Sequence, residues 1–227
     1  MSPGKHKLGF RILPAPPRLS DDIVTRFRGL APANLADAMG RFNFMDPGMQ
    51  SRTGLSMCGL AVTVRCRPAD NLMVHKALEI AEPGDVVVVS TCGNTTSAVF
   101  GELMCHTATA KKLGGIVVDG AIRDVDGISA LGFPAVSRAV CPGGCDKDGP
   151  GEINVPIACG GTVVMPGDVV GGDSGGVTVV PRDHAVDVLR LVGALMSREA
   201  ARIAEILQGR WFKAEIDDAL RRKGVID

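Results

Sequence analysis

Arg123 and Asp124 stand side by side at the end of the run GGIVVDGAIRD, residues 114–124. Arginine presents a planar fork of five donors that suits a carboxylate or carbonyl oxygen, and aspartate is a hard oxygen donor that suits a divalent metal. An apolar strand, a glycine turn and then a cation beside an anion describe a strand end able to hold a small oxyanionic substrate next to a metal. The pair also admits a plainer reading, with Asp124 as the N-cap of a short helix begun by VDGISALG and Arg123 as a surface ion-pair partner. Since α/β folds place their sites at strand ends, the surrounding elements must decide.

The segment just upstream, TTSAVFGELMCHTATAKKLGG, reads as a loop entering a helix from Glu102 to Leu113, stopped by Gly114 and Gly115. Gly101 then marks the helix start. The first N–H groups of a helix lack intrahelical partners and carry the positive end of its dipole, so those of Leu103 and Met104 could receive a carboxylate, with Gly101 letting the ligand come close. The alternative is a glycine tolerated in a loop before a core helix.

The 227 residues suffice for one domain with a substantial core and an appended helical arm. Lys and Arg number 25 and Asp and Glu 25, a formal net charge of zero that argues against a nucleic-acid surface. Seven cysteines are scattered through expected strands and helices, which favours a reducing compartment over a disulfide framework. Cys141 and Cys145 have no partner pair at zinc-site spacing, and Cys105 and His106, as consecutive helix residues, point apart and form no nucleophilic pair. No apolar run reaches the length of a membrane span, and the proline-rich opening lacks the unbroken apolar core of a secretory signal, so a cytoplasmic protein is expected. Residues 1–19 are expected to form an extended or disordered arm.

Ser20 opens a first helix that ends near Gly29, and Pro32 to Met39 reads as a second. GLAVTVRC, residues 59–66, has strand character; Asn71 caps a helix through Ala81; and Val86 to Val89 forms a core strand after the turn Pro83, Gly84, Asp85. The strand at 115–119 leads through a helix near Val125 to Leu131 into FPAVS. This alternation argues for parallel pairing in an α/β core. Residues 153–180 carry short apolar pieces suited to an antiparallel meander without helices, and GGDSGG at 171–176 reads as a hairpin, since it lacks the Lys-Ser/Thr of a phosphate loop. No GxGxxG supports a dinucleotide. The expected class is a layered β/β/α arrangement over residues 20–181, with N-terminal helices and a C-terminal helical arm over 182–227.

From Arg182 to Gln208 the chain reads as one helix about 40 Å long. Val188, Val192, Met196, Ile203 and Ile206 mark its apolar stripe, and Glu199 falls on that stripe. An acid there must be paired, bound or only partly covered. Pairing with Arg198 or Arg202 is one solution. The other is that the helix crosses an oligomer interface and lends Glu199 to a neighbour's metal site.

Taken together, GELM at 101–104, GGIVVDGAIRD at 114–124, the following FPAVSRAV, INVPIACGG at 153–161, MPGDVVGGDSGGVTVVPR at 165–182 and Arg198-Glu199-Ala200 resemble the RraA-like family over residues 20 to 208. That family includes the class II 4-hydroxy-4-methyl-2-oxoglutarate and 4-carboxy-4-hydroxy-2-oxoadipate aldolases. The resemblance implies swivelling-type β/β/α domains in a trimeric ring, often stacked as a hexamer. It implies that Arg123 contacts the pyruvoyl group, Asp124 ligates Mg²⁺ or Mn²⁺, and Gly101 and the amides of Leu103 and Met104 hold the substrate carboxylate. Glu102 and Glu199 correspond to acids near the metal's waters, the latter from an adjacent subunit. The chain departs from the aldolases at Gly127, where they usually carry an acid.

The implied activity is a metal-dependent lyase that cleaves a 4-hydroxy-2-oxo acid to pyruvate. Its enolate also arises in oxaloacetate decarboxylation, and a water positioned by Glu102 or Glu199 is the candidate base. No lysine lies in the motif to form a Schiff base. The rival is a regulator of the RraA type, a protein inhibitor of a ribonuclease, and Asp124 separates the two because in that subgroup no acid follows the arginine. A methyltransferase finds no glycine-rich nucleoside site.

Overall fold

Apolar runs rich in valine become four adjacent parallel strands, because only burial on both faces suits strands with so little polar surface. The computed structural model describes residues 7–227; residues 1–6, the first part of the expected arm, lie outside the described residues. Numbered in chain order, β3 (Met57–Cys66), β4 (Val86–Phe100), β5 (Gly115–Ile122) and β6 (Ala135–Val140) pair in that order, each parallel to the next. The helices α3 (Leu72–Ile80), α4 (Glu102–Ala110) and α5 (Val125–Ala130) make the crossovers.

Alternation along the strands divides the core into two layers. Val87, Val89, Ile116 and Val118 pack with Val74, Cys105 and Ile128 of the three helices. Val86, Val88, Val117 and Val136 face the other way, against β8 (Ile157–Cys159), β9 (Thr162–Val164), β10 (Val169–Asp173) and β11 (Gly176–Val180). The result is the β/β/α layering expected. A third cluster joins Phe27 of α1 (Asp21–Phe27) and Leu35 of α2 (Pro32–Ala38) to Val188, Leu189 and Val192 of α6 (Ala185–Leu207).

Several expectations change. Residues 153–180 form no continuous meander: β8 pairs only with β9, while β10 pairs with β11 and with β3. β7 (Gly151–Ile153) lies antiparallel to β3 and parallel to β1 (Phe10–Ile12), so residues 10–12 of the expected arm form an edge strand tied by the Arg11–Glu152 ion pair. The opposite edge is β2 (Gln50–Ser51), on β6. The stretch before Gly101 is strand and not loop, since β4 runs on to Phe100 through bulges where Cys92 and Gly93 take φ of 57° and 72°. Gly120 is likewise no turn; it lies inside β5, where a Cβ would meet Thr91 Oγ1 at 2.2 Å. A 3₁₀ turn at Arg182–His184 precedes α6, and a further helix, α7 (Ala214–Arg222), follows it. No helix among the described residues is long and apolar enough to cross a membrane.

Candidate active site

Parallel pairing brings the ends of β4 and β5 out together, with Phe100 opposite Ile122. Gly101-Glu102 and Arg123-Asp124 therefore leave the sheet as neighbours, and the N–H of Arg123 donates to the carbonyl of Phe100 at 3.0 Å. Asp124 occupies the N-cap position of α5, as the plainer reading requires, but its side chain makes no capping bond. Its backbone is left-handed, φ 57° and ψ 40°, a conformation aspartate tolerates better than most residues at some cost in strain. The carboxylate is turned toward α4 instead: Oδ2 accepts from the Glu102 N–H at 3.3 Å and lies 3.3 Å from Arg123 Nε. Both side chains remain nearly half exposed.

Gly101 is dictated by this arrangement. A Cβ there would stand 2.7 Å from Asp124 Oδ2 and 3.0 Å from Arg123 Cγ. A Cβ on Gly127 would lie 2.5 Å from Glu102 Cδ, so the Glu102 side chain fills the space beside Gly127. His106, one turn further along α4, approaches Glu102 at 3.9 Å.

A cleft of about 190 Å³ opens over the pair, and Gly101, Leu103, Met104, Arg123 and Asp124 all line it. Glu102 is not among its lining residues; its backbone N–H donates to Asp124, which is. Glu199 does not line it. The expected pairing of Glu199 with Arg198 or Arg202 and its place on a buried stripe are both overturned: it is exposed and accepts from Asn34 Nδ2 at 2.9 Å, while Arg202 binds Glu205 and the carbonyls of Arg210 and Trp211. The stripe is covered as far as Val192, and Met196, Ile203 and Ile206 stand in the open.

The cleft also contains residues the sequence did not mark as functional: Asn71, His75, Cys145 and Lys147. Asp70 anchors this side. Its carboxylate accepts from the N–H groups of Leu72 at 2.9 Å and of Asp148 and Gly149 at 2.8 Å, which ties the Cys145–Lys147 loop to the start of α3. Burial alone would raise the Asp70 carboxyl, but those three donors and Arg67 hold it below the usual carboxylate range. Burial, assisted by the charge of Lys147, lowers the His75 imidazole, and burial raises the Cys145 thiol.

Backbone amides at a helix start, a guanidinium and a hard carboxylate around one small cleft define a class of site suited to a small carboxylic acid with a second oxygen function. The family model for RraA-like proteins, described as aldolase/RraA, matches residues 32–179, and the chain belongs to that family. A protein of Halalkalibacterium halodurans, provisionally named 4-hydroxy-4-methyl-2-oxoglutarate aldolase, is 37% identical over 182 residues, covering 80% of this chain and 87% of its own. Among solved structures, an uncharacterized protein from Pseudomonas syringae pv. tomato aligns with a TM-score of 0.77 at 27% identity, over 86% of this chain and 96% of its own. The RNA-processing inhibitor RraA from Thermus thermophilis aligns with a TM-score of 0.62 at 28% identity, over 67% and 93%.

Proposed function

We propose that the protein is a divalent-metal-dependent lyase that cleaves 4-hydroxy-2-oxo acids to pyruvate by a retro-aldol reaction and also decarboxylates oxaloacetate. The observation that carries this reading is the convergence of Gly101, Arg123 and Asp124 on one cleft at the ends of β4 and β5. The aldolase relative supports the reaction class.

In this reading the substrate carboxylate lies on the free amides of Leu103 and Met104, and the 2-keto oxygen faces the Arg123 guanidinium. Asp124 fits a hard cation: its carboxylate is half exposed and spends no bond on its own helix. Among the described residues no three His, Cys, Asp or Glu side chains converge, which suits Mg²⁺ or Mn²⁺, ions that keep water and substrate oxygens as most of their ligands. Bound there, the ion would supply positive charge where the reaction develops negative charge. When the C3–C4 bond breaks, its electron pair passes to C3 and the keto oxygen, and Arg123, already fixed beside that oxygen, stabilises the enolate. Glu102 holds the water that takes the C4 hydroxyl proton. Loss of carbon dioxide from oxaloacetate yields the same enolate without that base.

Glu199 serves a second copy in the proposed assembly, a trimer or a pair of trimers. Its exposure beside the uncovered Met196, Ile203 and Ile206 supports this role. The likeness to RraA favours a second reading, a ribonuclease regulator without catalysis.

Pyruvate release separates the two. The protein is incubated with oxaloacetate and with 4-hydroxy-4-methyl-2-oxoglutarate, first with Mg²⁺ and then with a chelator, coupled to lactate dehydrogenase. Metal-dependent pyruvate from at least one acid, abolished by Asp124→Ala, is expected. No pyruvate, or turnover indifferent to chelator and substitution, overturns the proposal.

A further inference from the structure

Two groups of residues meet in the cleft. Gly101, Leu103, Arg123 and Asp124 come from the ends of β4 and β5 and each has a part in the reading above. His75, Cys145 and Lys147 come from α3 and the loop after β6 and have none.

That loop is pinned on both sides of Lys147. The Asp146 N–H donates to the Ala69 carbonyl at 2.8 Å, and the Asn71 N–H donates to the Asp146 carbonyl at 3.0 Å. Asp70, which caps α3 in place of its neighbour Asn71, accepts from the Asp148 N–H at 2.8 Å. Upstream, the Gly143 carbonyl accepts from the Ala98 N–H at 2.8 Å, and a Cβ on Gly144 would stand 3.5 Å from Arg123 Nη1. The loop therefore rests against Arg123 and fixes Lys147 at the edge of the cleft.

The Lys147 ammonium is uncommitted. Among the described residues it has no ion-pair partner: the adjoining Asp146 carboxylate meets Arg67 Nη2 at 3.1 Å, and Asp70 meets the same nitrogen at 3.2 Å. Its charge is felt by two other residues that line the cleft. After burial, that charge lowers the His75 imidazole, and it opposes the rise that burial imposes on the Cys145 thiol. With His75 neutral at pH 7, Arg123 and Lys147 are the two fixed cations lining the cleft. Arg123 already faces the keto oxygen, so one cation remains.

We propose that Lys147 receives the distal carboxylate of the substrate and so selects 4-hydroxy-2-oxo diacids over acids that end in an uncharged group. The inference rests on the lyase reading above. With one carboxylate on the α4 amides and the keto oxygen at Arg123, the far carboxylate of an acid such as 4-hydroxy-4-methyl-2-oxoglutarate needs a cation of its own. That carboxylate takes no part in the retro-aldol step: the C3–C4 bond breaks, the C4 hydroxyl becomes a carbonyl, and the carboxylate leaves with its charge intact. The contact thus persists from bound substrate through the transition state and appears in kcat/KM, the quantity that discriminates between competing substrates. Oxaloacetate differs, because its distal carboxylate departs as carbon dioxide and loses its charge on the way. A cation that grips it favours the ground state and slows that loss.

The test is steady-state kinetics of the wild type and Lys147→Met, with Mg²⁺, on 4-hydroxy-4-methyl-2-oxoglutarate, on 4-hydroxy-2-oxopentanoate, whose far end is a methyl group, and on oxaloacetate. Comparing variant with wild type on the same acid cancels the acids' differing reactivity. Lys147 is exposed and its side chain engages no other residue, so the variant keeps the fold. For the diacid kcat/KM is expected to fall at least about tenfold, the scale of a lost charge-assisted hydrogen bond. For the pentanoate it stays within about threefold, and for oxaloacetate kcat and KM rise together. An equal loss on diacid and pentanoate, an unchanged diacid, or a fall in kcat on oxaloacetate overturns the role of Lys147. A wild type that releases pyruvate from none of the three refutes the lyase reading itself, a different outcome from an active wild type with unselective loss.

Discussion

Two arginine–aspartate clusters, one bridging β5 and β6 and the other just past the end of β5, differ in one respect, saturation. Arg138 commits all three of its nitrogens: Nε donates to Asp119 Oδ1 at 2.6 Å, and Nη1 and Nη2 donate to the two oxygens of Asp46 at 3.2 and 2.8 Å. Gly48 and Gly160 complete the carboxylates with backbone donors at 2.8 Å. Arg123 and Asp124 share one contact of 3.3 Å, Asp124 accepts one backbone N–H from Glu102, and both residues line a cleft. The first cluster joins β5, β6 and the Asp46 turn. The second holds its charges ready for something else. Residue type is the same in both, so unspent bonding capacity beside a cavity, and not charge pairing, separates a site from a brace.

The comparison breaks if the clusters respond alike to substitution. Arg123→Ala should lower kcat/KM for pyruvate release by about 10³, the scale of losing a fixed charge beside a developing oxyanion, with little change in melting temperature. Arg138→Ala should do the reverse. It strands the buried Asp119 carboxylate, costs about 3 kcal/mol of stability and drops the melting temperature by roughly 6–12 °C, while kcat/KM stays within about threefold.

Acid sharpens the contrast. The hydrogen bonds from Arg138 hold the Asp46 carboxyl below its ordinary value, despite an opposing contribution from burial. A depressed folded-state pKa stabilises the fold at pH above the unfolded value near 3.9, and that contribution fades as pH falls through the folded value. The melting gap between wild type and Arg138→Ala should therefore be widest near pH 6 and narrow below about pH 4, as thermal melts across that range would record. The smallest expected effect on stability is that of Asp124→Gly. Glycine accepts φ of 57° without strain, so stability should hold within about 1 kcal/mol while turnover is lost.

The parallel core was legible because alternation and buried valine runs leave few other arrangements, and the strand end at Arg123 followed from it. The rest was hidden for physical reasons. The polar stretch from Ser90 to Ser97 looks like a loop, and bulges at Cys92 and Gly93 let it continue as strand. Asn71 and a true N-cap are the same letter at the same place; only the amide's partners tell them apart, and Asp70 one residue earlier had taken the cap. For Glu199, a heptad-like stripe says which helix face is apolar but not where the domain stops covering it, and here that is Val192. The brace at Arg138 lay within a quoted motif, yet its carboxylates come from residues 46 and 119, distances along the chain that no local pattern spans.

The central claim is that the unsaturated pair, and not the saturated one, binds the keto acid with a divalent ion. Oxalate, a planar mimic of the pyruvate enolate, tests it by calorimetric titration in Mg²⁺ against wild type, Arg123→Ala, Asp124→Ala and Arg138→Ala. Metal-dependent binding that survives Arg138→Ala and weakens at least about tenfold in the other two is the expected result. Binding that needs no metal, or that Arg123→Ala and Asp124→Ala leave intact, would contradict it.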